Sequence, residues 1–356
     1  MTTSPPAHED GPDSVSSGEQ RGERLSLCWR PFSFPLPAAL HTAAGTLSRR
    51  RGWLLRLETP SGACGWGEAA PLAFGATEEA ALQDCASALG QLSPRPIRGE
   101  LERLLPTLPP PLAFAVGAAL AEADGLVGSA AAGGWRPAPP SAWLLPAGEG
   151  VLAAARATLE PWHPHTAPQS STPTLKWKVG VHPAHLEQAW YEELAGLLPA
   201  GARLRLDANG GLDRPTAWSW AERLAGDRRL EWLEQPLDPA DQEGLEALAR
   251  LVPVALDESL LRQPELRRRW KGWQVRRPSQ EGDPRPLLRE LQRGRPRWMV
   301  STSFETGIGQ RWLAHLAALQ AEGPTPTAPG LAPGWQAPGK LGAHDPETVW
   351  RASGGL

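Results

Sequence analysis

Lys176 and Lys178 lie two apart in a short apolar run, and in a strand residues i and i+2 point to one face. Downstream, successive apolar runs each end on a polar residue: Asp207, Glu234, Asp257, Arg277 and Ser301. From Lys178 the intervals are 29, 27, 23, 20 and 24 residues. Three carboxylates gathered at one point repel unless a cation sits among them. All-oxygen donors with room for water and substrate oxygens suit Mg²⁺. An amine beside a second cation and a divalent metal loses pKa, which makes a general base near neutral pH. The chemistry this predicts is metal-assisted proton transfer.

Each part has an ordinary explanation. A lone Asp at a strand end is usually a turn residue or a helix N-cap. Two lysines at i and i+2 are usually a solvated strand face. Their combination, in order and at regular intervals, is far more specific. Of 36 basic residues only Lys176, Lys178, Lys271 and Lys340 are Lys, and half of these sit in one tripeptide. Arg would serve a solvated face equally well.

The elements that must position these groups follow from periodicity. Strands are predicted at 142–145, 175–179, 204–207, 232–234, 254–257, 273–276 and 298–301, with helical spacing at 184–198, 215–226 and 241–250 between them. A strand–helix repeat of about 25 residues reads as a parallel sheet, and seven repeats favour a closed barrel. Barrel active sites lie at the C-terminal strand ends, where the polar residues fall. Upstream, 24–70 reads as strands and hairpins with a turn at Ser61-Gly62. Thr77 is the expected N-cap of one helix, and a second is expected over 111–127. Residues 129–140 and 321–340, rich in Ala, Gly and Pro, read as coil. Residues 32–46, rich in Pro and Ala, predict a mobile loop that contacts substrate.

Composition narrows the function classes. The net charge of −3 gives no basic footprint, which argues against a nucleic-acid partner. No apolar stretch approaches membrane-spanning length, and residues 1–23 read as a polar, disordered tail without a secretory signal. Three Cys without metal or redox spacing predict a reduced, cytoplasmic protein. His163 and His165 fall in a Pro-rich stretch and read as an exposed loop; Cys64 and Cys85 read as packing. The sequence does not fix the oligomeric state.

The segments LKWKVG (175–180), LRLDANGG (204–211), WLEQPL (232–237) and ALDESL (255–260) resemble the muconate-lactonizing branch of the enolase superfamily. RGWLLRLETPSGACGWGEAAPLAFG (51–75) is similar to that superfamily's capping domain. VSTSFETGIG (300–309), LLP (144–146) and the short Pro/Gly C-terminus resemble the o-succinylbenzoate synthase family within it. The resemblance covers residues 24–310. It implies an α/β fold, a modified (β/α)₇β TIM-type barrel with an α+β capping domain. The cap would occupy 24–128 and the barrel 141–320, with 321–356 returning to the cap.

The resemblance also implies roles. Asp207, Glu234 and Asp257 would bind Mg²⁺. Lys178 would remove the proton α to a carboxylate and then protonate the departing hydroxide, a syn dehydration leading to o-succinylbenzoate in menaquinone or phylloquinone synthesis. Lys176 would stabilise the enediolate. Ser301, Ser303 and Gly330 would contact substrate, and Asn209 would orient the ligands; Glu258 and Glu305 read either as groups that orient a lysine or ligand or as helix starts. Arg277 departs from the family, which has Lys there; for dehydration that catalytic position need only supply a cation beside the intermediate. Arg is effectively always protonated and cannot be a base, so it argues against the two-base chemistry of a racemase. The alternatives are a dipeptide epimerase or N-acylamino acid racemase, or a degenerate barrel without turnover. Epimerases of this kind carry acids near the last strand, and residues 328–335 have none.

Overall fold

The computed structural model describes residues 21–42, 45–160 and 172–354; His163 and His165 lie outside them. The N-terminal part is a three-stranded antiparallel sheet of β1 (Ser26–Thr42), β2 (Gly45–Glu58) and β3 (Cys64–Ala69), in that order. Helices α1 (Ala76–Gly90), α2 (Arg98–Leu104) and α3 (Pro110–Ala123) complete it. Alternate glycines on β3 let α3 lie directly on the sheet. A Cβ at Gly65 would fall 1.8 Å from Ala119 O, and one at Gly67 2.0 Å from Ala115 O. Residues 111–121 are accordingly buried all round the helix.

Two expectations change here. Residues 32–42 are strand rather than loop, and Phe32, Phe34 and Leu36 alternate into the core. β1 is an edge strand, so Pro31, Pro35 and Pro37 lack N–H groups that the sheet does not require on both sides. Helix α1 begins at Ala76 behind Gly75, and the Thr77 hydroxyl donates back to Phe74 O instead of capping.

The second part is a parallel sheet. Its strands are β4 (Trp143–Leu145), β5 (Thr174–Lys178), β6 (Arg203–Asp207), β7 (Leu230–Glu234), β8 (Val254–Leu256), β9 (Trp273–Arg276) and β10 (Trp298–Val300), paired in sequence order. All seven lie where apolar runs predict them. Outside pack α4 (Val151–Leu159), α5 (Ala184–Leu197), α6 (Arg214–Leu224), α7 (Gln242–Leu248), α8 (Glu258–Arg262), α9 (Leu266–Arg269), α10 (Pro284–Gln292) and α11 (Gly307–Ala321). The core fills the layer between strands and helices, with Leu175, Trp177, Leu206, Trp220 and Leu233 fully buried.

A segment of the expected C-terminal coil closes the ring. Gly330 N–H donates to Val300 O, and Thr302 N–H donates to Gly330 O. Ala142 N–H, before β4, donates to Pro329 O. Residues 329–330 thus stand between β10 and the start of β4 as an eighth strand position. The chain then packs α12 (Pro346–Ala352) against the first sheet, where Trp350 meets Trp66 edge-on at 5.6 Å.

The two parts are joined through a buried carboxylate. Glu68 on β3 accepts from Thr306 N–H at 2.9 Å and Gly309 N–H at 3.1 Å, at the N-terminus of α11.

Candidate active site

Register brings the polar strand ends to one rim. Lys178 pairs with Asp207, and Asp207 with Glu234, across β5, β6 and β7. Asp257 follows β8 directly, Arg277 follows β9, and Ser301 follows β10. Asp207, Glu234 and Asp257 are all buried.

Their charges are held by two cations of the chain. Lys176 Nζ lies 2.6 Å from Glu234 Oε1 and 2.8 Å from Asp207 Oδ2. Arg277 donates through Nε and Nη2 to the two Asp257 oxygens, at 2.8 and 2.5 Å. The expected convergence of three carboxylates on one metal point is therefore not how they are arranged. Among the described residues no three His, Cys, Asp or Glu side chains are gathered as a ready-formed metal site. Instead Lys176 stands between two carboxylates and Arg277 takes the third. The donor set nonetheless fits Mg²⁺ in kind: three buried oxygen donors on neighbouring strand ends, with positive charge already among them.

The two lysines diverge. Burial disfavours the charge on Lys176, but Asp207, Glu234 and Asp257 outweigh it and hold the ammonium well above its ordinary range. Burial pushes Lys178 below its ordinary value; the Lys176 charge adds to this, and Asp207 and Glu258 oppose it without reversing it. One lysine is thus a fixed cation and the other an amine that gives up its proton more readily. Arg277 is raised further: burial opposes its charge, and Asp257 more than compensates.

Asn209 and Glu258 buttress the ligand candidates. Asn209 Nδ2 donates to Glu258 Oε1 at 3.1 Å and to Asp207 Oδ2 at 3.3 Å, and its backbone N–H donates to Asp207 Oδ1 at 3.0 Å. Glu258 opens α8; burial, then Asp257 and Asp207, push its carboxyl up to about 8. Ser301 Oγ donates to Gly330 O at 3.3 Å, which places both at the closing strand. Ser303 is fully buried; its N–H donates to Glu305, whose carboxylate also accepts from Ser279 and Thr302. Ser303 and Glu305 thus tie the turn before α11 together.

Three residues escaped the sequence reading. Gln235 is fully buried, and its Oε1 accepts from Asp257 N–H and Ser259 N–H, both at 3.1 Å. Its place between Glu234 and Pro236 was the available signal. Trp232 Nε1 donates to Glu234 Oε2 at 3.1 Å, from the position two before it on the same strand face. Leu144 pairs with Lys176 across β4 and β5 and is 46% exposed, an apolar wall beside the cation. Below this layer Arg205, Trp232 and Trp273 plug the barrel. Arg205 lies 4.1 Å over the Trp232 ring, and Trp232 and Trp273 are 4.8 Å apart.

A parallel barrel bearing paired lysines, three strand-end acids and an antiparallel-sheet cap defines the enolase superfamily. Residues 166–270 match the enolase C-terminal domain-like family. The o-succinylbenzoate synthase of Thermosynechococcus vestitus is 35% identical over 301 residues, spanning 81% of this chain and 87% of that protein. This chain belongs to the o-succinylbenzoate synthase family. The crystal structure of the Thermosynechococcus elongatus synthase, complexed with Mg in its active site, superposes with a TM-score of 0.70 at 32% identity, covering 92% of this chain and 99% of that one. A muconate lactonizing enzyme from Pseudomonas fluorescens shares the fold at 20% identity, with a TM-score of 0.65 over 84% of this chain and 85% of its own.

Proposed function

We propose that this chain is an o-succinylbenzoate synthase, a hydro-lyase that converts the succinyl-hydroxycyclohexadiene carboxylate SHCHC to o-succinylbenzoate. The observation that carries the reading is the split lysine pair: a lowered Lys178 beside a locked Lys176 on one strand face. The Lys178 amine takes the ring proton α to the carboxylate. Charge then spreads onto the carboxylate oxygens, and the Lys176 ammonium lies ready to balance it. The Lys178 ammonium returns its proton to the departing hydroxyl, releasing water as the ring becomes aromatic. One residue serving as base and then acid keeps both events on one face, which gives syn geometry. Asp207, Glu234 and Asp257 would hold Mg²⁺, which supplies further charge neutralisation to the substrate carboxylate.

Arg277 separates this reading from epimerisation or racemisation. Two-base exchange needs a titratable amine opposite Lys178, and a guanidinium held on Asp257 is a permanent cation. The setting we propose is a cytoplasmic enzyme of menaquinone or phylloquinone synthesis acting on a small carboxylate. Among the described residues no helix is long and apolar enough to cross a membrane. The test is incubation of purified protein with SHCHC and Mg²⁺ while following loss of diene absorbance. Folded protein that gives no turnover above background overturns the assignment.

A further inference from the structure

The strands that deliver Asp257 and Arg277 upward begin, at their other ends, beside a second concavity. A cavity of about 730 Å³ lies among the starts of β8 and β9, the end of α7 and helix α9. That volume is within the range of about 300–1,000 Å³ typical of small-ligand sites. It opens on the barrel face opposite Lys178, so it is separate from the catalytic rim.

Its lining is strongly cationic. Arg250, Arg269, Lys271 and Arg297 contribute four positive charges against the single acid Glu246. Among the described residues none of the four is ion-paired, and all four are exposed at the cavity. Like charges left together without a counterion attract an anion from solution.

Two indoles complete the lining, and both are anchored. Trp273 packs on Trp232, with ring planes 34° apart, and Trp270 Nε1 donates to Trp273 O at 3.1 Å. Trp270 and Trp273 give the lining an apolar aromatic wall suited to a ligand with an aromatic body, and a guanidinium matches a carboxylate in planar, two-point fashion. Arg297 adds a sign of strain. It holds φ at 60°, a left-handed conformation that side chains other than glycine rarely adopt. Its N–H donates to Thr325 Oγ1 at 2.6 Å and its Nη1 to Lys271 O at 2.7 Å. The guanidinium is thereby tied to the start of β9, at the cavity.

We propose that this cavity binds a planar organic anion carrying two or more negative charges, an aromatic polycarboxylate in class. The site is independent of the reaction proposed above and stands or falls separately from it.

The test is calorimetry on the full chain with benzene-1,2-dicarboxylate, and with inorganic phosphate as a non-planar dianion. The expected result is one-to-one binding of the dicarboxylate, at least tenfold tighter than phosphate. It weakens tenfold or more in Arg297→Gly and in the double variant Arg250→Ser/Arg269→Ser, and is unchanged in Lys178→Ala. Glycine accepts a φ of 60° without strain, so Arg297→Gly should melt no lower than the wild type. Equal affinity in wild type and Arg297→Gly overturns the proposal, as does loss of binding in Lys178→Ala, which would place the anion at the catalytic rim. Phosphate binding as tightly as the dicarboxylate, or no binding at millimolar concentration, overturns it as well.

Discussion

Arg277 meets Asp257 side-on, with Nε at 2.8 Å from one carboxylate oxygen and Nη2 at 2.5 Å from the other. Its Nη1 continues to Thr302 O at 2.5 Å. The guanidinium therefore spans the ends of β8, β9 and the turn after β10. A lysine carries three donors on one nitrogen and cannot reproduce this planar fork. The exchange fixes a charge where two-base relatives would need an amine.

The first prediction concerns that position. Arg277→Lys keeps the positive charge and restores a titratable group. SHCHC dehydration should be unchanged or lower, while racemisation of an N-acylamino acid, followed by chiral chromatography, should appear only in the variant. Wild-type racemisation at the variant's rate would sink the one-base assignment.

The second concerns Lys178. A positioned general base contributes about 10²–10⁴-fold, so Lys178→Ala should lower kcat by at least about a hundredfold with far-ultraviolet dichroism intact. The amine works unprotonated, so kcat/KM should rise with pH and level off. Because burial lowers its pKa, the plateau should begin below the ordinary lysine value of 10.5. A limb still rising through that pH contradicts the assignment, as does an Ala variant of wild-type rate.

The barrel was legible because its chemistry sits on strand ends: each apolar run stops where a polar residue turns to the rim, and that break marks both strand and site. The different roles of Lys176 and Lys178 came from the resemblance alone, and their physical cause was not legible. Periodicity places both on one face but does not say that Lys176 reaches Glu234 and Asp207 together. The strand over 32–42 was hidden by its prolines, which only an edge position tolerates. The Phe32, Phe34, Leu36 alternation was the signal that outweighed them. The closing strand position at Gly330 left no local pattern, since a single bridge to Ser301 forms it.

Gln235 yields a third prediction. Its amide closes a buried circuit, accepting from Asp257 N–H and Ser259 N–H and donating to Leu237 O and Ser259 Oγ. Gln235→Leu removes all four partners at once. Each buried group left unsatisfied costs about 1–3 kcal/mol, so urea denaturation should show a loss of at least about 2 kcal/mol. Groups that orient ligands commonly set metal affinity by about 10–100-fold, and Mg²⁺ titration calorimetry should show a weakening of that order. Unchanged stability and unchanged Mg²⁺ affinity would together remove Gln235 from the site.

The fourth prediction concerns the joint between cap and barrel. Burial pushes the Glu68 carboxyl up to about 7, and the neighbouring Glu305 carboxylate adds to the rise; the Thr306 donors and Arg50 oppose it. In the unfolded chain the group titrates near 4.5. Between these values the folded protein holds a proton that the unfolded chain has released. The raised pKa therefore contributes stability at low pH, and that contribution is lost as pH climbs from about 4.5 to 7. The slope from this one group is at most about 1.4 kcal/mol per pH unit. Glu68→Gln cannot ionise, yet its amide oxygen can still accept from Thr306 N–H and Gly309 N–H. Urea unfolding of both proteins at pH 5, 6 and 7 isolates the term, because every other titrating group is common to the two. The wild type should lose stability relative to Glu68→Gln as pH rises. Parallel curves would mean that Glu68 is ionised throughout and that the α11 N-terminus, with Arg50, carries its charge.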